Sequence, residues 1–197
     1  MFSFMRLDKA DFRLGVEMAS TGEIGIIGED FQDALIKALE ATEMYIPVEG
    51  GNILISIGGE ELKKQVIPLA KKLKSLGFSI FATEDTAIAL NKSGIEAVKL
   101  YKVHEFGKEP NIMACLQEGH IDMVINIPMP TTVEEEFRTI IEDEYKIRRM
   151  AVDYNIPVII NLQLAKAVID AIENVREKKV EIKSLNEYHK TLKEIYW

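Results

Sequence analysis

Lysines, threonines and asparagines stand directly after five short apolar runs in this chain. Ser56-Ile-Gly-Gly-Glu-Glu-Leu-Lys63-Lys64 follows the first run and Thr83-Glu-Asp-Thr86 the second; Lys102 follows the third, Asn126 the fourth and Asn161 the fifth. Gly58 and Gly59 let backbone amides approach a ligand closely, and a lysine early in the following helix adds positive charge. Hydroxyls, amides and ammonium groups together suit an anion such as phosphate or carboxylate. No nucleophile–base pair sits among them. The chemistry this set can do is to hold negative charge, without transforming it.

Each residue also has a plain structural use. Thr83 or Thr86 suits a helix N-cap. Gly58-Gly59 suits a tight turn, Lys63 or Lys64 a solvated helix face, and Asn126 or Asn161 a loop-closing hydrogen bond. Their common position, just past the strands, is what argues for a site. In an open parallel sheet, ligands bind beyond the carboxyl ends of the strands.

The elements that must place them follow from hydrophobic period. Apolar strands are expected at 52–57, 78–82, 97–100, 123–127 and 158–160, with helices between them at about 62–73, 85–91, 112–118, 137–154 and 162–175. Strands that are apolar throughout and separated by helices indicate a parallel sheet covered on both faces. The fold expected is α/β: a doubly wound, mostly parallel five-stranded sheet with helices on both faces, preceded by a small helical segment. That segment has one helix, Phe31 to Thr42, with Asp30 as N-cap and Ala34, Leu35, Ala38 and Leu39 as its apolar stripe. Ile46-Pro47 and Gly50-Gly51 then interrupt the chain, so the expected division is 1–49 and 50–197. A lone helix cannot bury its own apolar face, so it must dock on something outside its segment. Near the end, Ser184 and Glu187 form a capping box for a terminal helix carrying Leu185, Tyr188, Leu192 and Ile195.

Composition narrows the function classes. The 197 residues include 24 Lys+Arg and 32 Asp+Glu, a net charge of −8. An acidic chain lacks the basic face that nucleic acid or an anionic membrane would need. One cysteine, Cys115, forms no internal disulfide and reads as a core residue. Scattered His104, His120 and His189 make no zinc motif. With no apolar stretch long enough to span a bilayer and no secretion signal, a cytoplasmic protein is expected. Arg148-Arg149 follow Glu142, Asp143 and Glu144 and read as ion pairs on an exposed helix face. The run Glu134-Glu135-Glu136 reads as helix N-terminal charge, and no carboxylate stands in sequence to orient His104.

Beyond these readings, Phe2-Ser3-Phe4, Arg6-Leu7 and Gly15-Val-Glu-Met-Ala-Ser-Thr-Gly-Glu23 resemble the end of the second ATP-grasp unit in the large subunit of carbamoyl-phosphate synthetase. Phe81-Ala-Thr83-Glu84-Asp85-Thr86, Lys102-Val103-His104-Glu105, Val124-Ile125-Asn126 and Ile147-Arg148-Arg149 resemble that subunit's C-terminal regulatory domain, which has the methylglyoxal-synthase-like fold. The resemblance covers nearly the whole chain in order. It implies that 1–49 is the ATP-grasp tail and connector, and that 50–197 is an allosteric domain without catalysis of its own. Implied partners are the ATP-grasp part of the large subunit and the glutaminase small subunit, with a homo-oligomer left open. Implied cofactors belong to the full enzyme, ATP with Mg or Mn; none is implied for this chain.

The resemblance also implies an effector site for a nucleotide monophosphate such as UMP or IMP, at Lys63, Thr83, Thr86, Lys102 and Asn126. A loop one residue longer than in relatives makes Lys64 the alternative to Lys63. Pro128 stands where nucleotide-regulated relatives have a threonine. Relatives regulated by N-acetylglutamate carry asparagines matching Asn126 and Asn161, but also a tryptophan near Lys102, whereas the only tryptophan here is Trp197. Ile160 replaces a hydroxyl that some relatives use to respond to ornithine. Methylglyoxal synthase itself needs an acidic residue in the loop after the third strand. Glu109 stands there, without the histidine expected after the first strand.

Overall fold

A computed structural model describes residues 24–102, 104–105, 107–128, 138–178 and 181–196. The motifs read in 1–23, the run Glu134–Glu136, Met129-Pro130, the start of the helix expected at 137–154, and Trp197 lie outside the described residues. So do the side chains of Leu192 and Ile195.

The strands are β1 (Gly51–Ile57), β2 (Phe78–Thr83), β3 (Val98–Leu100), β4 (Met123–Ile127) and β5 (Val158–Ile159). They form one sheet in the order β3-β2-β1-β4-β5. Every pairing is parallel, with Ile55 opposite both Ala82 and Ile125. The chain builds outward from β1 to β3, then crosses back to place β4 on the other side of β1. The strand order therefore reverses between β1 and β4, which is where open α/β sheets form a crevice.

β1 is the centre of the core because both its faces are covered. Ile53, Leu54 and Ile55 are fully buried, and each such side chain stabilises the fold by ~1.5–3 kcal/mol. Ile53, Ile55, Ile57, Ile80, Met123 and Ile125 point to one face, where they meet α2 (Glu60–Ser75), α3 (Glu84–Lys92) and α6 (Leu162–Glu177) through Val66, Ala70, Leu90 and Val168. Leu54, Leu100 and Val124 point to the other, onto α4 (Ile112–Gln117) and α5 (Arg138–Asp153) through Ile112, Leu116, Ile147 and Ala151. The alternation follows from the two-residue period of a strand.

Gly51 shows how closely the chain is held at the start of β1. Its φ is +141°, and a Cβ there would lie 2.6 Å from Asp122 Oδ2. That carboxylate oxygen accepts a hydrogen bond from the Asn52 amide at 2.7 Å. A side chain at 51 would displace this bond as well as strain the backbone.

The leading helix α1 (Phe31–Ala41) begins at Asp30, whose side chain accepts from the Asp33 amide. It docks on α6: Leu35 and Leu39 of the expected stripe pack against the same core as β1, and Ile36, which the stripe left out, is the fully buried residue of α1. Asn174 of α6 reaches back to Asp30 at 3.3 Å, and Arg176 donates to the carbonyls of Val48 and Leu76. The covering that a lone helix requires thus comes from within 50–197. The terminal helix α7 (Leu185–Tyr196) starts with the expected capping box, Ser184 N–H and hydroxyl both meeting Glu187 Oε2 at 2.6 and 2.7 Å. Among the described residues, no helix is long and apolar enough to cross a membrane.

Candidate functional site

The residues one strand period beyond the α4/α5 core are polar. Two positions past Leu54, Phe81, Leu100 and Val124 stand Ser56, Thr83, Lys102 and Asn126. Parallel register brings Asn126 directly opposite Ser56, and Thr83 Oγ1 lies 3.4 Å from Ser56 Oγ. The packed interior therefore ends at the sheet's carboxyl edge in a row of hydroxyl, amide and ammonium groups. A cavity of about 370 Å³ opens there, lined by the Ser56–Glu60 turn, Lys63, Thr83, Asp85, Lys102 and, from α5, Asp143, Glu144 and Ile147.

The turn after β1 is shaped for close approach. The Gly58 amide donates to the Ile127 carbonyl at 2.9 Å, tying β1 to β4. Gly59 has φ +80° and ψ 147°, a conformation that side chains rarely adopt, and no side chain caps α2. The first amides of a 16-residue helix thus stand at the cavity with their partial positive charge.

Thr83 sits at the N-cap position of α3, yet its hydroxyl makes no capping bond. It lies instead 3.2 Å from Thr86 Oγ1, which also accepts the Ile57 amide at 3.2 Å. Ser56, Thr83 and Thr86 form one buried hydroxyl cluster. This differs from the plain capping role that the sequence allowed.

Lys63 is the only one of the two adjacent lysines that reaches the cavity. Its side chain is 10% exposed, with Nζ 2.7 Å from Glu60 Oε1, while Glu60 itself is 83% exposed. The Lys63 ammonium holds the Glu60 carboxyl below the ordinary carboxylate range. Lys64 points into solvent and pairs with Glu61 at 3.4 Å. Lys102 is half-buried; its amide donates to Glu105 Oε2 at 3.0 Å. Glu105 is held below the usual range first by the Lys108 ammonium and then by that amide.

Asn126 is fully buried. Its Oδ1 accepts from Arg148 Nη1 at 2.8 Å, while its Nδ2 has no hydrogen-bond partner among the described residues. Asn161 does not join this group. It caps α6, accepting the Leu164 amide at 2.7 Å, and faces a separate, largely apolar cavity of about 330 Å³ with Val158 and Ile160.

Three groups on α5 are placed differently from their expected solvated face. Asp143, Glu144 and Arg148 are buried, Arg148 at 2% exposure. Arg149 pairs at the surface with Asp153 at 2.7 Å, an acid that follows it in sequence where the expected partners precede it. His104 does have a carboxylate: its Nδ1 lies 2.5 Å from Asp143 Oδ2. Glu109 stays exposed, accepting from the Asn111 amide at 3.1 Å, and does not line the cavity. The wall thus mixes signs, with cations at the strand tips facing carboxylates on α5. Among the described residues, no cluster of His, Cys, Asp or Glu is arranged to hold a metal ion.

Comparison with known proteins gives this geometry a context. A family model described as the MGS-like domain matches residues 65–160. The "carbamoyl phosphate synthase large chain, C-terminal section" of Methanopyrus kandleri is 40% identical over 190 residues, covering 96% of this chain and 33% of the relative. The carbamoyl phosphate synthase large chain of Archaeoglobus fulgidus is 38% identical over 189 residues, covering 96% of this chain and 17% of the relative. This chain therefore spans a third or less of these relatives' length. Among solved structures, a methylglyoxal synthase from Elizabethkingia anophelis aligns with a TM-score of 0.47 at 17% identity, covering 63% of this chain and 79% of the other. The chain carries an MGS-like domain at residues 65–160 and, over almost its full length, is a relative of the C-terminal section of carbamoyl phosphate synthase large chains.

Proposed function

We propose that this chain is the allosteric part of a carbamoyl phosphate synthase acting in pyrimidine and arginine biosynthesis, and that it binds a nucleoside monophosphate at the carboxyl edge of the sheet. The single observation that carries this reading is the polar edge of one cavity: Ser56, Thr83 and the Lys63 side chain line it, Thr86 bonds to Thr83 behind them, and Asn126, the register partner of Ser56, has an Nδ2 with no hydrogen-bond partner among the described residues. Buried polar groups are normally satisfied, so such a set fits a ligand oxygen.

In this reading the phosphate lies over the α2 N-terminus between Lys63 and Thr83. Glu60, being exposed, swings away at little cost and leaves Lys63 to the ligand. The α5 carboxylates then face the other end of the ligand. Asp143 and Glu144 accept hydrogen bonds from sugar hydroxyls or base N–H groups, of which a nucleoside monophosphate supplies several and N-acetylglutamate only its one amide N–H. This favours a nucleotide over N-acetylglutamate, as does the position of Asn161 in a different cavity.

The chain itself carries no catalytic step in this account. Carbamoyl phosphate synthesis, with its ATP and its Mg or Mn, belongs to the ATP-grasp part of the large chain and to the glutaminase partner. The effector acts by linkage: a ligand that prefers one conformation shifts the enzyme by its differential affinity, typically ~1–3 kcal/mol. Isothermal titration with UMP, IMP and N-acetylglutamate tests the reading. Saturable heat with a nucleotide is expected, and flat titrations with all three at millimolar concentration overturn it.

One observation favours a second reading. An imidazole seated on a buried carboxylate that lines the cavity is the arrangement that proton transfer would use. His104 and Asp143 would then serve a methylglyoxal-synthase-like lyase, with Glu109 playing no part. Methylglyoxal formed from dihydroxyacetone phosphate, and lost in Asp143→Asn, would establish it.

A further inference from the structure

Arg148 crosses from α5 to the tip of β4 as a buried side chain and donates from Nη1 to Asn126 Oδ1 at 2.8 Å. A guanidinium has donors only. The oxygen of the Asn126 amide must therefore face Arg148, and the NH2 group is fixed on the opposite side. That group meets no acceptor among the described residues. Ser56, the register partner of Asn126, and Ile147, the neighbour of Arg148, both line the cavity. A buried amide whose oxygen is bonded and whose NH2 has no partner among the described residues is rare and suits an acceptor brought by a ligand.

We propose that Arg148 is a positioning residue that locks the Asn126 amide with its NH2 toward the cavity. The site then takes a ligand presenting a hydrogen-bond acceptor at this point, a phosphate or carbonyl oxygen, and rejects one presenting a donor. Specificity of this kind arises because a buried polar group left facing its own kind is penalised. The inference rests on the effector-binding reading above and adds to it the residue that sets the polarity of the contact. The sequence could not show this, because Arg148 four positions after Glu144 looks like an ordinary surface pair.

The test is titration of the full chain with UMP, IMP and inorganic phosphate, across variants, with a thermal melt for each. Asn126→Asp keeps an acceptor for Arg148 and removes the NH2. It is expected to melt like the wild type and to bind at least about tenfold more weakly, the loss of one charge-assisted hydrogen bond. Arg148→Met is expected to weaken binding similarly, while Arg148→Lys, which still donates to Oδ1, retains most of it. The double variant Arg148→Met/Asn126→Ala is expected to bind no more weakly than Asn126→Ala alone, because Arg148 acts through Asn126. A purely structural role for Arg148 would instead give additive losses. Additive losses, or an Asn126→Asp variant that binds like the wild type, overturn the inference; where Arg148→Met fails to fold, Arg148→Gln, alone and combined with Asn126→Ala, makes the same comparison. A wild-type chain that binds none of the three probes overturns the effector reading and this inference with it.

Discussion

His104 Nδ1 lies 2.5 Å from Asp143 Oδ2, joining the segment after β3 to α5 beside the cavity. The Asp143 side chain is 4% exposed and His104 is 45% exposed, so the buried partner is the acid. A buried carboxylate is costly unless it is hydrogen-bonded. Replacing His104 by Ala should therefore destabilise the chain by ~1–3 kcal/mol, read from urea unfolding. Asp143→Asn keeps a hydrogen-bonding group but removes negative charge near Lys63 and Lys102. It should weaken binding of UMP in a calorimetric titration, because the carboxylate that accepts from the nucleoside hydroxyls or base N–H is lost, whereas unchanged or tighter binding would show that Asp143 accepts nothing from the ligand.

Glu60 and Lys63 give a second prediction. The exposed acid competes with any anion for the Lys63 ammonium. Glu60→Gln should tighten UMP binding by about two- to fivefold, the worth of a surface ion pair; Lys63→Met should lose roughly tenfold or more. The pH dependence follows from the depressed Glu60 value. The pair is intact above the ordinary carboxylate range of ~4.3. It is lost as pH falls through the lower folded value, so Glu60→Gln should mimic acid at neutral pH.

The docking of α1 on α6 makes a third. Ile36 of α1 is 2% exposed. Ile36→Ala should cost ~2–5 kcal/mol, seen as a lower midpoint in a single unfolding transition. A melt that separates into two transitions would show instead that residues 31–48 fold independently of the sheet.

Cys115 gives a fourth. Burial first, then the Glu118 and Glu109 carboxylates, push its thiol above the ordinary range. It should react with a thiol reagent at pH 8 far more slowly than in denaturant. Because the folded value is raised, the stability linked to it is complete below ~8.5. That stability declines as pH rises through the folded value. Rapid labelling of the native chain would contradict the buried placement.

The sheet and its edge could be read before any coordinates because both rest on local patterns. Runs such as Ile53–Ile55 and Met123–Ile125 are apolar at every position, which a sheet covered on both faces accommodates. Ser56, Thr83, Lys102 and Asn126 then follow from strand period alone, since each continues the row of Leu54, Phe81, Leu100 and Val124. The α5 wall had no such signature. Asp143, Glu144 and Arg148 have spacings that serve a solvated face and a site equally well. Which face turns inward was decided by Ile147 and Ala151 packing on β1 and β4. Lys63 and Lys64 were equally unresolvable from composition, since neighbouring helical residues diverge by about 100° and only packing selects one. Asn161 was misgrouped for a related reason: an asparagine after a strand serves a helix cap or a ligand with the same local sequence.

The most direct measurement is a crystal structure of the chain grown or soaked with UMP at millimolar concentration. The account predicts the phosphate within hydrogen-bonding distance of Lys63 Nζ and Thr83 Oγ1, an oxygen of the ligand on Asn126 Nδ2, and Glu60 released from Lys63. Nucleotide found in the apolar cavity beside Asn161, or an edge cavity that stays without ligand while Glu60 remains on Lys63, would contradict it.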